Sequence, residues 1–120
     1  MATRPRNAKQ LTLAAKTPPS RGSQGDAHQR AMTRAGRWLA LRPRTVAEMR
    51  ARLGDGGFDP KTVEGAITRL LELRVLDDLA FAQQLVEERS RKGVGPKTLR
   101  AELEAKGIDA HTAEAALEGI

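Results

Sequence analysis

The chain has 120 residues, of which 39% are hydrophobic and 30% are charged, and its formal net charge is +6. The absence of cysteine excludes thiolate metal sites, thiol catalysis and disulfide bonds. No apolar run reaches the roughly 18 residues that suggest a membrane span. We expect one small cytoplasmic domain without a membrane partner.

The positive charge is concentrated at the start of the chain. Residues 1–44 hold ten Lys or Arg and one acid, Asp26, whereas residues 45–120 hold 11 Lys or Arg and 14 acids. Residues 1–26 also contain no Val, Ile or aromatic residue, so they cannot bury enough apolar surface to offset their ordering entropy. They are predicted to form a flexible basic tail. Such a tail either makes weak, non-specific contact with DNA or serves only solubility, and the sequence leaves both readings open.

The remaining sequence predicts six helices and no strands, because β-branched residues never alternate over four or more positions. The first helix should span about 27–41 and end before Pro43. Each later helix begins at an N-capping side chain or at a proline in the first helical position. The predicted starts of these five helices are Thr45 (with Glu48 in a capping box), Asp59, Asp77, Gly95 and Asp109.

Apolar and glycine positions recur with an offset of 50 residues. Gly57 and Gly107 suit the left-handed residue that ends a helix, and Ala31 and Ala35 pair with Phe81 and Leu85. The other matched positions are Met49/Leu99, Leu53/Leu103, Phe58/Ile108, Asp59/Asp109, Val63/Ala113, Ala66/Ala116, Ile67/Leu117 and Leu70/Ile120. We therefore predict an all-α fold of tandem three-helix (helix–helix–turn–helix) repeats, a short right-angled solenoid-like bundle, with a tail at 1–26 and repeats at 27–76 and 77–120.

No residue pattern indicates catalysis or metal binding. The segment 93–98 resembles a phosphate-binding loop only superficially, because Pro96 removes an amide that the phosphate would need. Asp77 and Asp78 fit ordinary capping at a helix start, and His28 and His111 lie on different repeats. We expect no catalytic residue, no metal and no cofactor, and hence not an enzyme.

Cationic side chains surround the turn between the fourth and fifth helices. Such a cluster is either a contact for an acidic protein surface or phosphates, or merely a solvated face. The aromatic residues Trp38, Phe58 and Phe81 have core-like spacing, which leaves no platform for stacking bases. The candidate partner-binding residues are Arg89, Arg91, Lys92, Lys97 and Arg100.

Four segments, in order, resemble motifs of the RecX family. Residues 76–82 are similar to the family's "LLDDxxFA" segment, and residues 95–103 to its "GPxxLxxEL" segment. Residues 106–109 resemble the "KGI" that follows, and residues 42–50 the "RxxSxxELxxxL" region. The resemblance covers about residues 31–120. Family members usually carry a third three-helix repeat.

The resemblance implies a monomeric, non-enzymatic regulator of the RecA recombinase. Such proteins bind along the groove of the RecA–DNA filament and bridge neighbouring subunits. They hinder filament extension, ATP turnover, strand exchange and the co-protease function of the SOS response. Two alternatives remain: a helix-turn-helix-like DNA-binding module around residues 96–117, and a helical scaffold for another partner. Against the DNA-binding module, residues 45–120 are net acidic and no helix is expected to carry a one-sided basic stripe.

Overall fold

The computed structural model describes residues 21–119, and all regular structure in that part of the chain is helical. This confirms the predicted all-α fold of tandem three-helix units. Residues 1–20 of the predicted tail lie outside the described residues. The helices are α1 (Arg21–Leu41), α2 (Val46–Asp55), α3 (Pro60–Glu72), α4 (Asp78–Arg91), α5 (Pro96–Ala105) and α6 (Ala110–Leu117).

The first helix is longer than the sequence analysis predicted. It begins at Arg21 rather than near residue 27, so residues 21–26 are helical. Gly25 and Asp26 are exposed, whereas Ala31 and Ala35 are fully buried. Once the packed part has nucleated a helix, each further residue adds one backbone hydrogen bond, so the helix can extend beyond its buried face. The prediction failed because it placed the helix start close to the first apolar positions.

The predicted helix starts of α2 to α6 are confirmed. Thr45 and Glu48 form a reciprocal capping box, in which each backbone N–H donates to the other residue's side chain at 3.1 Å. The carboxylates of Asp59, Asp77 and Asp109 accept hydrogen bonds from the backbone N–H three residues later, at 2.8, 3.0 and 2.7 Å. These caps explain why short helices start sharply at the expected positions.

Glycine in the left-handed conformation ends both α2 and α5. Gly57 has φ +95° and Gly107 has φ +84°, which L side chains adopt only with strain. The next residue then folds back, because the N–H of Phe58 donates to the carbonyl of Leu53 at 3.3 Å and that of Ile108 donates to the equivalent Leu103 at 3.1 Å. The predicted equivalence of these two turns is confirmed.

Each three-helix unit encloses its own core. Within the first unit α1 packs against α2 and α3, and within the second α4 packs against α5 and α6. The principal extents are 68 × 22 × 22 Å, so the units follow one another in an elongated array. The first core contains Ala31, Ala35, Met49, Leu53, Val63, Ala66, Ile67, Leu70 and Leu76, and the second contains Ala82, Val86, Leu99, Leu103, Ile108, Ala113, Ala116 and Leu117.

The 50-residue offset holds for α2 and α3 against α5 and α6, but not for α1 against α4. The buried residues of α4 are Ala82 and Val86, which lie 51 positions after the buried Ala31 and Ala35. The residues predicted to match them, Phe81 and Leu85, are only partly buried. Both line a cleft against residues 42 and 43 of the first unit. The offset differs because α4 uses these two apolar side chains at the junction between units.

Candidate partner-binding surface

The five predicted contact residues lie on α4, α5 and the turn between them, but the structure divides them into two groups. Arg89 donates to both carboxylate oxygens of Glu102, at 3.1 and 2.5 Å, and so ties α4 to α5. Arg100 makes a two-pronged ion pair with Glu114, which ties α5 to α6. The hydrogen bond that Arg89 donates to Glu102 raises the pKa of Arg89, and the one that Arg100 donates to Glu114 raises the pKa of Arg100. Both guanidinium groups are therefore already engaged within the second unit.

The pair Arg100–Glu114 has a counterpart in the first unit. Arg50, on α2, donates to the two carboxylate oxygens of Glu64, on α3, at 2.7 and 3.1 Å. Each member lies 50 residues before its equivalent, so the same interhelical tie occurs in both units. The sequence contained this signal, because Arg and Glu recur at the same offset as the core residues. Only apolar, glycine and aspartate positions were compared between the repeats, so the role of Arg100 in holding two helices together was not predicted.

Arg91, Lys92 and Lys97 form the second group, here called the α4–α5 cationic surface. All three are exposed, and none forms an ion pair within the described part of the chain. Arg91 donates only a long hydrogen bond of 3.4 Å to the carbonyl of Glu87. The turn between them contains Gly93 with φ +89°, which brings the end of α4 to the start of α5. Of the predicted set, these three are the residues with charge available to a partner.

The two units meet through a polar junction that the sequence analysis did not predict. The hydroxyl of Thr45 donates to the carbonyl of Lys106 at 2.8 Å, and the N–H of Val46 donates to the carboxylate of Asp78 at 2.9 Å. The ammonium of Lys106 lies 3.7 Å from the carboxylate of Glu48. Asp77 caps α4 as expected, but Asp78 caps the start of α2 in the other unit. Burial raises the pKa of Asp78, against the opposing effect of the Val46 hydrogen bond.

Gly107 fits the junction closely. A Cβ at this position would collide with the methyl group of Ala47, whereas a Cβ at the equivalent Gly57 would meet nothing within 4 Å. Gly107 is therefore needed for its positive φ and also for the approach of the two units. The matching turn of the first unit has only the first requirement.

The two histidines lie on different helices, α1 and α6. His28 is partly buried beside Gly65, and His111 is exposed on α6. In residues 21–119, no group of three or more His, Cys, Asp or Glu residues is arranged to hold a metal ion. No helix among those described has both the length and the apolar character needed to cross a bilayer. The α6 helix of the proposed helix-turn-helix module contains no Lys or Arg with which to contact a phosphate backbone.

The expectation that no helix carries a one-sided basic stripe is wrong for α1. Arg30, Arg34 and Arg37 are all exposed and follow the i, i+4, i+7 spacing of one helix face. The row was not predicted because charge summed over long segments does not show which helix face carries it.

Comparison with known proteins agrees with this architecture. Sequence models described as "RecX, first three-helix domain" and "RecX, second three-helix domain" match residues 31–70 and 77–117. Regulatory protein RecX of Prosthecochloris aestuarii is 39% identical over 90 residues, which cover 74% of this chain and 60% of the relative. Regulatory protein RecX of Mycobacterium avium is 33% identical over 109 residues, which cover 90% of this chain and 63% of the relative.

A solved structure shows the same fold. The crystal structure of RecX from Lactobacillus salivarius superposes with a TM-score of 0.75 and 26% identity, covering 78% of this chain and 61% of that one. The chain therefore spans about three fifths of the length of the relatives that it matches. With both of its three-helix units matched in order, the chain belongs to the RecX family.

Proposed function

We propose that this chain is a non-enzymatic, cytoplasmic monomer that binds the RecA recombinase filament and restrains it in DNA recombination, repair and the SOS response. The observation that carries the proposal is the ordered match of both three-helix units to a family whose members are named regulatory protein RecX. The charges and the shape of the molecule support it independently of any motif.

The shape suits a polymeric partner. An array 68 Å long and 22 Å wide can contact more than one subunit of a filament. Simultaneous contacts multiply weak affinities through effective concentration. Bridged subunits would resist the rearrangements that filament extension and ATP turnover require.

The α4–α5 cationic surface is the proposed contact with RecA. Its residues Arg91, Lys92 and Lys97 are exposed beside the acids Glu87 and Glu88, so the surface is of mixed sign, as expected for a protein partner. Charged groups at the rim of an interface mainly affect association rate and specificity. Arg89 and Arg100 belong to this proposed site only as residues that fix the helices on which it lies.

The test is inhibition of RecA's ATPase on preformed filaments of RecA and single-stranded DNA. The double variant R91E/K97E should inhibit with a potency about tenfold lower than that of the original chain, because two attractive contacts become repulsive. Its helical circular dichroism should be unchanged, since both residues are exposed. Full inhibition by this variant would rule out the surface as the contact.

A matched control is present in the chain. Lys61 and Lys97 both follow a proline at the first helical position, in the sequences Pro60-Lys61-Thr62 and Pro96-Lys97-Thr98, and both are exposed. The change K61E should therefore leave inhibition unaltered while K97E weakens it. Equal losses would indicate a general effect of charge. Failure of the original chain to bind RecA at all would favour a scaffold for another partner.

A further inference from the structure

We propose that the first three-helix unit carries a binding surface for the sugar–phosphate backbone of a nucleic acid, formed by the arginine row of α1 together with Arg44 and Arg52. This surface lies on the other unit from the α4–α5 cationic surface. The proposal does not rest on the proposed function, and either can fail without the other.

The row on α1 is continuous and free of acids. Arg30, Arg34 and Arg37 lie within about 60° of arc on the helix and extend about 10 Å along its axis. All three are exposed, and no Asp or Glu occurs between residues 27 and 41. The one acid on α1 is Asp26, one turn before Arg30, so three cations face solvent with a single neighbouring acid on their own helix.

The row continues across the surface onto α2. The guanidinium of Arg34 lies over the ring of Phe58, 5.7 Å from its centroid, and that of Arg52 lies over Trp38 at 4.9 Å. Stacking on an aromatic face holds a guanidinium in place while leaving its N–H groups available. Trp38 and Arg52 line a shallow depression with Asp55 and Gly56, and Asp55 is the acid in that lining.

Arg44 provides a second, independent observation. The residue is only 7% exposed, and its Nε is buried without a hydrogen-bond partner. Burial lowers the pKa of Arg44, and the charges of Arg42 and Arg52 lower it further, while Glu48 opposes them. A buried guanidinium N–H without a partner is rare in folded proteins. A phosphate oxygen nearby would relieve the repulsion between these cations.

The charge distribution favours a nucleic acid over an acidic protein. Residues 27–76 hold ten Lys or Arg and five acids, whereas residues 77–120 hold six and nine. Residues 1–20, directly before α1, add four Lys or Arg and no acid. An excess of positive charge over such a length suits a polyanion, while protein surfaces usually present both signs.

The test is fluorescence anisotropy with a fluorescein-labelled oligothymidylate and the full 120-residue chain. At about 50 mM salt, R30E/R37E should weaken binding about tenfold or more. The slope of log K against log salt concentration should also decrease in magnitude by about one to two, because fewer phosphates are neutralised. Arg34 is left in place because it packs on Phe58. R91E/K97E, with the same change in net charge, should bind within about twofold of the original chain.

Trp38 is an intrinsic reporter, because it is the only tryptophan in the chain and lies beneath Arg52. The oligonucleotide should change its emission. A variant with Arg4, Arg6, Lys9 and Lys16 all replaced by Gln should keep this change, which separates the folded surface from contact by residues 1–20 alone.

Three results would overturn the proposal. The first is equal weakening by R30E/R37E and R91E/K97E, and the second is Trp38 emission that does not respond to the oligonucleotide. The third is competition by poly-glutamate as effective as that by unlabelled oligothymidylate at equal charge, which would assign the surface to an acidic protein instead.

Discussion

The two units share one scaffold but carry opposite charge. Both have an Arg–Glu tie between their second and third helices, a left-handed glycine after the second helix and an aspartate cap on the third. Yet residues 27–76 carry an excess of five positive charges, and residues 77–120 an excess of three negative charges. The repeated features join and end the helices, whereas the net charge of the two units differs. This difference in charge is the basis on which a different partner is proposed for each unit.

The junction is the other place where the units differ. The first unit contributes Thr45, Val46 and Glu48 at the start of α2. At the equivalent start of α5 the second unit has Gly95, Pro96 and Thr98. Gly95 has no hydroxyl, Pro96 has no N–H and Thr98 has no carboxylate. The second unit therefore cannot repeat this contact with a further neighbour through the same groups.

The largest loss of stability is expected when alanine replaces either of the equivalent glycines, Gly57 and Gly107. G57A should lower the free energy of unfolding by about 1–2 kcal/mol, because alanine is strained at positive φ. G107A should lower it by a further 1–3 kcal/mol, since its Cβ also collides with Ala47 across the junction. Urea unfolding followed by circular dichroism measures both.

The double variant A47G/G107A is the control for this collision. Removing the methyl group of Ala47 should recover most of the extra loss in G107A but none of the loss in G57A. Equal destabilisation by G57A and G107A would mean that the units do not press together at this point.

The parts that sequence could predict are those with local causes. The capping box at Thr45 and the turn at Gly57 depend on residues within a few positions, so their patterns suffice to place them. The role of Asp78 could not be predicted, because its partner Val46 is 32 positions away and reaches it only through the packing of two units. The same holds for the 51-residue offset of α4, which follows from where Phe81 packs.

A smaller, pH-dependent effect is expected at the junction. Burial raises the pKa of Asp78, so the folded state holds this proton more tightly than the unfolded state. The contribution of Asp78 to stability therefore falls as pH rises from its unfolded pKa, about 4, through the raised folded value. The pKa values of Asp59 and Asp109 are lowered, chiefly by backbone N–H groups, so their contributions rise with pH over the acidic range.

Substitution of Asp78 distinguishes its pH dependence from that of Asp59 and Asp109. D78N keeps an oxygen for the Val46 N–H and removes a partly buried charge, so its stability at neutral pH should match or exceed that of the original chain. D78A should lose about 1 kcal/mol, because that N–H is left without its partner. Urea midpoints between about pH 4 and 7 test this, and a D78N profile with the same slope as the original would show that Asp78 does not cause the dependence.

The smallest effect on stability, and the most informative for function, is expected at the repeated ion pairs. E64Q and E114Q each remove the charge that holds Arg50 or Arg100. Because these pairs are exposed, both variants should shift the urea midpoint only slightly. They should differ in activity, since E114Q releases Arg100 beside the α4–α5 cationic surface while E64Q releases Arg50 away from it. Stronger inhibition of RecA's ATPase by E114Q alone would place Arg100 among the residues that can contact the partner. Equal inhibition by both variants would leave Arg100 as a residue that only joins two helices.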